Sequence, residues 1–524
     1  MVSLPLSAQQ DSLLYQDFNY LRLSDAWYSG RNAAPLSRLS ISHLSDAWLM
    51  MKYENGGWAN YDEAPQAHTV GAGVASYYRL TERVVAYGHI SYDNYSGKNM
   101  AGSAFIHPEF LPFDIVEYTQ ENTGRKHLDT YQLAGAVSCD VYQGISLGVR
   151  MNYTAANYAK YKDLRHKNSL MDMSLTAGIY VPVCSELQIG AAYDYRRSTE
   201  SVRFGTYGAS DKEYQSLVSY GAFCGRLETF GENGYTDKSR EMPLFSEYQG
   251  AELQVGWDIL PTLSWYNAFS YAAFDGYYGK KSPYTVSYNQ FDGKEFADCS
   301  RLTYRQSTRQ HQLNASLSIR TLTDYSNTYR EVTDEQTSAR YYEYYTPVKL
   351  SDKKWLSGEL SYTGYYGIRE NSSAWVVQTG IVMKRREQKI FVHPYYRKQQ
   401  LFNMEGFARA EHSMPLADGL LTAGIGLSYL KGNGDICKDG LLAQPSDKQT
   451  ALPQMEAYLH REYQYLTAPR YTLTGSVKYA FIFPNTRMKT WVQLTASHTK
   501  AHVEDVYVDG TNRQVVAMSL GCTF

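Results

Sequence analysis

Apolar side chains alternate with small or polar side chains along successive segments of this chain, and this pattern limits the fold more than any other feature. In the clearest segment every second residue has an apolar or aromatic side chain, namely Ile145, Leu147, Val149, Met151 and Tyr153. Side chains alternate between two faces in a β-strand, whereas a helix repeats every 3.6 residues. The same code recurs up to residues 513–524, where the chain stops on Phe524. The sequence therefore predicts an all-β protein built from two-faced strands.

The links between these segments fall into two length classes that follow each other along the chain. Short, turn-like links are predicted at 80–83, 143–144, 182–185, 260–262, 384–389, 415–419 and 484–487, and long polar links at 96–127, 196–246, 275–303 and 431–469. Short turns on one side and long loops on the other are typical of a transmembrane antiparallel β-barrel with short periplasmic turns and long extracellular loops. The pattern predicts about 16 to 18 strands, with 18 preferred.

One segment does not fit this order. The order of the links predicts a periplasmic turn at 321–351, yet this stretch is long and polar. It contains the run Tyr341-Tyr342-Glu343-Tyr344-Tyr345. Two interpretations stay open: the region contains a further strand pair, or the segment is long and folds into the lumen.

Composition agrees with a barrel and excludes two other classes of protein. The chain has 49 Tyr against 18 Phe and 8 Trp, and Tyr is enriched where proteins cross a membrane interface. The mean hydropathy is -0.47, and no run of about 18 apolar residues is present, which excludes a transmembrane helix. The net charge of -2 argues against a nucleic-acid partner, because such proteins carry a basic surface.

The face opposite to the oily one carries charges that are too costly to expose to lipid, so they are predicted to face the lumen. Because both signs occur, they either line a channel or form ion pairs in a packed lumen, and the packed or plugged lumen is favoured because buried charges need partners. These candidates are Asp140, Arg150, Asp194, Glu252, Arg320, Glu359, Lys384 and Lys478.

No motif predicts catalysis or a cofactor. Standard nucleotide, metalloprotease and hydrolase motifs are absent, and the six cysteines have no CxxC pair and no His at metal-ligand spacing. Ser or Thr neighbours of His43, His412 and His498 are interpreted as ordinary polar positions. We therefore expect no catalytic residue, no metal and no cofactor, and a protein that is not an enzyme.

Tyrosines in two predicted loops are the candidates for recognition. Tyr277 and Tyr278 lie in one, and Tyr341 and Tyr342 in the other. Such rings can stack on a sugar or a planar cofactor, contact a protein partner, or anchor the barrel at the membrane interface.

The N-terminal region precedes the predicted barrel. Residues 1–8 have the composition of a signal-peptide remnant, residues 9–43 form a lead-in placed in the periplasm or the lumen, and residues 44–524 form a single barrel. The pentapeptide Leu-Ser-Asp-Ala-Trp occurs at 23–27 and again at 44–48, too few copies for a solenoid.

The lead-in with Asn32-Ala33-Ala34, the alternation along the chain and the final Phe524 together resemble an uncharacterised family of large Bacteroidota outer-membrane β-barrels. This resemblance implies a place in the bacterial outer membrane, Phe524 as the barrel-closing insertion signal, and a companion role beside a TonB-dependent receptor and surface lipoproteins. The expected function is non-enzymatic transport, as a channel or an accessory subunit of a nutrient or metal uptake complex. The alternatives are a structural barrel that scaffolds surface lipoproteins and an outer-membrane enzyme of the lipase or protease kind.

Overall fold

The computed structural model describes residues 13–205, 214–230, 242–282, 285–449, 451–483, 486 and 488–524. The proposed signal-peptide remnant at 1–8 and part of the link at 484–487 lie outside these residues. The strands are β1 (His43–Asn55), β2 (Gln66–Arg79), β3 (Val84–Met100), β4 (Asp114–Glu117), β5 (Gly124–Tyr142), β6 (Ile145–Lys160), β7 (Arg165–Pro182), β8 (Leu187–Gly205), β9 (Tyr214–Ser219), β10 (Gly225–Phe230), β11 (Met242–Leu260), β12 (Leu263–Ser282), β13 (Thr285–Arg305), β14 (Arg309–Ser326), β15 (Tyr329–Thr333), β16 (Arg340–Tyr344), β17 (Val348–Arg369), β18 (Ser372–Val392), β19 (Tyr395–Leu416), β20 (Gly419–Leu441), β21 (Arg470–Ile482), β22 (Lys489–Ala501) and β23 (Asn512–Thr523).

Within the described chain, eighteen of these strands form one closed antiparallel sheet, which confirms the preferred strand count. The remaining strands form a three-stranded sheet in the order β10-β9-β4 and the separate hairpin β15–β16. The helices are α1 (Phe18–Ser24), α2 (Ala26–Ser29) and α3 (Glu456–Thr467), with 3-10 turns at Ala34–Arg38 and Pro108–Phe110.

The barrel closes where the last strand meets the first. Residues of β23 pair with β1 from Asp46 opposite Thr523 to Asn55 opposite Gln514. Beyond that ladder the Phe524 N–H donates to the Ser45 carbonyl at 2.9 Å, and the Ser45 N–H donates to the Phe524 carbonyl at 2.8 Å. The terminal segment therefore closes the ladder, as expected, and its use as an insertion signal stays a prediction.

The outer surface of the barrel carries the apolar face of the alternating code. Leu49 and Ile425, for example, are 60% and 64% exposed, while their strand neighbours face the other way. Closure leaves no edge strand unpaired in the hydrocarbon region, which is the condition for a sheet to cross a bilayer. No helix among the described residues is long and apolar enough to cross a membrane. The architecture is that of the bacterial outer membrane, and the chain is a protein of that membrane.

Two predicted links are wrong, and both errors have the same cause. Residues 275–303 lie mostly in β12 and β13. The periplasmic turn that the alternation of short and long links requires lies at 306–308, between β13 and β14. Residues 384–389 lie inside β18, whose turn is at 393–394. These strands continue beyond the bilayer, where water meets both outer and inner faces, so polar residues occupy both faces and the alternation fades. Because β13 and β14 are joined by the turn at 306–308, residues 327–347 form an extracellular link, which holds β15 and β16.

Candidate functional site in the barrel lumen

The lead-in, residues 13–42, lies inside the barrel, packed on strands of its first half and also bound to strands of its second half, for example by Gln310 and Lys489. Asp17 caps α1 by accepting the Tyr20 N–H at 2.8 Å, and Asp25 caps α2 by accepting the Trp27 N–H at 3.0 Å. The Trp27 ring is buried with edge-to-face contacts to Tyr180 and Tyr266, at centroid distances of 5.0 and 4.9 Å. Those rings belong to β7 and β12, so the short helices are held by strands far apart in sequence.

Asn32 is the polar anchor of this segment. Its side-chain amide donates to the Ile179 carbonyl at 3.0 Å and to Gln254 Oε1 at 2.9 Å, and its Oδ1 accepts the Ala34 N–H at 2.9 Å. The wall comes close here because it lacks side chains: a Cβ on Gly178 would lie 2.1 Å from Asn32 Oδ1. The glycine thus leaves room for the Asn32 side chain to lie directly on the sheet.

We expect Asn32→Ala to weaken the docking of the lead-in by roughly 1–3 kcal/mol, because it leaves buried polar partners unsatisfied. Limited proteolysis within 13–42 should then speed up while the barrel keeps its heat-modifiable migration in gels. Asn19→Ala is the matched control, since the Asn19 side chain on α1 is exposed. Equal cleavage rates for Asn32→Ala and the control would contradict the anchoring role.

Three of the predicted lumen-facing charges lie at the lead-in. Arg150 donates to the Gly30 carbonyl at 2.8 Å, and Asp194 pairs with Arg31 at 3.1 Å. Glu252 is buried and accepts from Gln254 at 2.5 Å. These groups position the lead-in and are not free to line an open pore.

A cavity of about 610 Å³ lies on the opposite side of α1, between the lead-in and the strands from β13 to β22. Two predicted residues, Glu359 and Lys478, are among its lining groups. The other charged groups that line it are Asp17, Arg301, Arg409, Glu411 and Lys489. The lead-in therefore occupies one side of the lumen at this level and leaves a polar, mixed-charge space on the other.

The remaining predicted charges lie elsewhere on the lumenal face. Arg320 pairs with Glu295 and donates to the Phe110 carbonyl at 3.3 Å. Asp140 accepts the Gly144 N–H at 3.3 Å and stabilises a periplasmic turn. Lys384 shares the lumenal face of β18 with Arg386 and is exposed there.

The extracellular half of the lumen is filled by what we call the outer plug: β4, β9, β10 and α3 with the adjoining residues of their links. Its apolar side chains form one core with lumenal side chains of the barrel wall. Plug members of that core are Ala104, Phe105, Phe113, Ile115, Val116, Leu217, Val218, Tyr220, Ala222, Phe223, Cys224, Met455, Tyr458 and Leu459. The packed lumen favoured by the sequence is thus present, but the sequence does not predict the outer plug that fills its extracellular half. The sequence signal for the outer plug is the presence of apolar residues inside links that are expected to be exposed to water.

Buried polar contacts fix the outer plug to the wall. Lys160 of β6 pairs with Glu117 of β4 at 2.5 Å, and both side chains are almost wholly buried. Lys126 Nζ donates to the Ser103 carbonyl at 2.6 Å. On the other side of the barrel, Arg386 pairs with Glu462 of α3 at 2.7 Å. Each contact joins a lumenal strand residue to a plug residue.

A carboxyl group inside the plug has an altered affinity for protons. Asp114 accepts from Ser103 Oγ at 2.6 Å and from the Tyr61 hydroxyl at 3.0 Å. Burial raises the pKa of Asp114 to about 6, and these hydrogen bonds together with Lys126 act in the opposite direction. Burial likewise raises the pKa of Glu117.

The predicted recognition tyrosines divide into two groups. The prediction that Tyr277 and Tyr278 lie in a loop is wrong: both lie in β12, and the Tyr278 ring is buried in the outer-plug core, 4.9 Å from the Phe113 ring. Tyr341 and Tyr342 lie on the β15–β16 hairpin at the extracellular end, next to Tyr344, which is 44% exposed. Recognition by the hairpin stays a prediction.

In the described ranges, no group of three or more His, Cys, Asp or Glu side chains is arranged to hold a metal ion. The six cysteines are free thiols.

Comparison with known proteins gives a family and several similar folds. No curated protein sequence matches the chain. Similar solved structures include the ferric preacinetobactin receptor BauA of Acinetobacter baumannii, at 8% identity, with 93% of this chain and 80% of that chain covered and a TM-score of 0.45. The ferripyoverdine receptor of the outer membrane of Pseudomonas aeruginosa is 9% identical, with 93% and 72% covered and a TM-score of 0.41. The outer membrane transporter YddB of Escherichia coli is 9% identical, with 92% and 80% covered and a TM-score of 0.40.

The sequence also matches the model of a family over residues 33–524, from the anchored part of the lead-in to Phe524. The chain belongs to the family of unknown function DUF6850.

Proposed function

We propose that this protein transports a polar solute across the outer membrane through a lumen gated by its own lead-in and outer plug. The observation that carries the proposal is the cavity of about 610 Å³ beside α1. It lies within the usual size range of sites for small molecules, which is about 300–1,000 Å³. A barrel that only holds other proteins together has no need for a charged space in its lumen.

The lumenal filling has the character of a gate. The lead-in contacts the first half of the wall through Asn32 and Trp27, and the cavity separates α1 from part of the other half. Releasing it would break its hydrogen bonds and apolar contacts with the wall but would leave the barrel ladder unchanged. The outer plug, in contrast, is held by an apolar core and must move for a solute to pass.

Conductance of the purified protein in planar bilayers tests the proposal. We expect rare, brief openings of the native protein, and larger and longer openings of the double variant Trp27→Ala/Asn32→Ala, which lacks two anchors of the lead-in. Glu335→Gln, an exposed change in the β15–β16 link, should behave like the native protein. Absence of any conductance in both the native protein and the double variant would favour a scaffold over a transporter.

A second role is favoured by the β15–β16 hairpin, whose Tyr344 and Tyr345 are 44% and 54% exposed at the extracellular end. Tyr is enriched at protein interfaces, so the hairpin would suit an accessory subunit that contacts a TonB-dependent receptor or a surface lipoprotein. Recovery of partners from native membranes, and their loss with Tyr344→Ser/Tyr345→Ser, would support this role. Recovery of the barrel alone would count against it.

The proposed role involves no chemical step. Hydrolysis assays on lipid and peptide substrates test this point, and a cleaving activity that disappears when lumenal or loop His and Ser residues are replaced would overturn it.

A further inference from the structure

A group of cations faces outward from the barrel just above the apolar band of β17–β20. On β18 the lipid-facing residues Ile381 and Met383 are followed on the same face by Arg385 and Lys389. The neighbouring strands continue the group at the same end. We call these residues the basic patch: Lys354, Arg385, Lys389, Lys398 and Lys431.

Two lysines of the basic patch lie directly opposite each other. Lys389 of β18 and Lys398 of β19 are register partners, and both side chains are exposed. Directly opposed residues have Cβ atoms about 4.5–5.5 Å apart, and like charges in such positions destabilise the sheet. Lys398 Nζ lies 5.0 Å from the centroid of the Tyr396 ring, a contact that leaves its charge in place. An anion between the two ammonium groups would remove the repulsion.

The nearby carboxylates do not supply that anion. Glu387 lies on the same face of β18, directly opposite Lys354, and pairs with Arg385 at 2.5 Å. Asp352 pairs with Lys349 at 2.7 Å, and Asp435 pairs with Lys438 at 2.7 Å. Within the part of the chain that the structure describes, no carboxylate lies within 4.0 Å of the ammonium groups of four patch members. These are Lys354, Lys389, Lys398 and Lys431.

The position of the patch identifies the class of anion. Met383 and Met404 are register partners, each six residues from the opposed lysine on its strand, and both are exposed on the lipid side. Lys431 lies opposite Met404, and the other cations of the patch lie beyond that level at the extracellular rim, where lipid headgroups lie. A ligand that matches both parts must carry phosphate above and acyl chains below, and ammonium groups bind phosphate as point charges.

We propose that the basic patch binds the phosphate groups of a phosphorylated glycolipid of the outer leaflet, with Lys389 and Lys398 bridged by one phosphate. The acyl chains of the glycolipid lie on the apolar side chains below. This site is on the outside of the barrel and is independent of the lumen and of the transport proposal.

Native mass spectrometry of the purified barrel after exchange into detergent with added lipid A tests the site. We expect the native protein to retain phosphorylated lipid A and to bind phosphatase-treated lipid A much less. Lys389→Gln/Lys398→Gln should lower retention roughly thirtyfold, given about 1 kcal/mol for each lysine at a membrane surface. Lys389→Arg/Lys398→Arg should retain the lipid, because the charges remain.

The control Lys162→Gln/Lys448→Gln removes two exposed positive charges from extracellular links and should leave retention unchanged. Heat-modifiable migration in gels verifies that every variant is a folded barrel. Equal retention of both lipid forms, or no loss in the double glutamine variant, would overturn the proposal. Loss of an acidic protein partner in that variant, with lipid retention unaffected, would assign the patch to a protein and would also overturn it.

Discussion

Replacing Lys160 with methionine is expected to destabilise the outer plug by roughly 3–5 kcal/mol, the usual cost of leaving one member of a buried ion pair alone. The pair with Glu117 is 2.5 Å long and nearly inaccessible to solvent, so the carboxylate loses its partner in a place that water does not reach. Hydrogen–deuterium exchange in β4, β9 and β10 measures the result as the free energy of local opening. The barrel strands should keep their protection.

Two further variants make this test specific. Lys160→Met/Glu117→Leu should recover most of the loss, because an apolar pair replaces a buried ion pair at little cost. Arg330→Met breaks the solvent-exposed pair between Arg330 and Glu343 and should change plug exchange very little. A double variant as unstable as the single one would show that Lys160 acts through packing rather than through its charge.

The outer plug is also expected to lose stability as the pH rises from about 4 to about 6, the window between the unfolded and folded pKa values of Asp114. In this window the folded state binds more protons than the unfolded state, because burial raises the pKa from 3.8 to about 6. The free energy of unfolding of the plug therefore falls as the pH rises. For a pKa raised from 3.8 to about 6 the loss amounts to roughly 3 kcal/mol.

Exchange rates of β4 amides, corrected for the intrinsic effect of pH, measure this dependence. Asp114→Asn should make the profile less steep, because the amide does not titrate and Glu117 alone of this strand then contributes. Asp334→Asn in the β15–β16 link should leave the profile unchanged. A plug that becomes more stable between pH 4 and pH 6 would contradict the assignment to Asp114.

The barrel wall could be read from the sequence because its two faces meet different solvents. Residues 145–153 alternate since lipid selects one side chain and the lumen selects the next. Where a strand rises above the bilayer, as at 384–389 in β18, water meets it on the outside and the alternation disappears. Strand number was therefore predictable, whereas the positions of some turns were not.

The contents of the lumen were less accessible to sequence reasoning because they depend on contacts between distant residues. The pentapeptide at 23–27 caps a helix through Asp25, while its copy at 44–48 lies in β1 with Asp46 accepting from Trp491. Identical local sequence thus gives two structures, decided by the surroundings. The eight charged candidates lie on the lumenal face, but their partners, such as Arg31 for Asp194, could not be paired without the fold.

The unequal lengths of the strands give the barrel an inclined outer rim. The strands β17–β20 have 22, 21, 22 and 23 residues, whereas β21, β22, β23 and β1 have 13, 13, 12 and 13. At about 3.3 Å per residue and a tilt of about 45°, ten residues add roughly 20–25 Å of height. The link that carries α3 descends from the high side to the low side. A particle approaching from solution is therefore shielded from the plug on one flank and meets it on the other. Another membrane protein packed against the low side of the rim would block this route to the plug. The arrangement of proteins in the membrane plane would then govern access to the lumen.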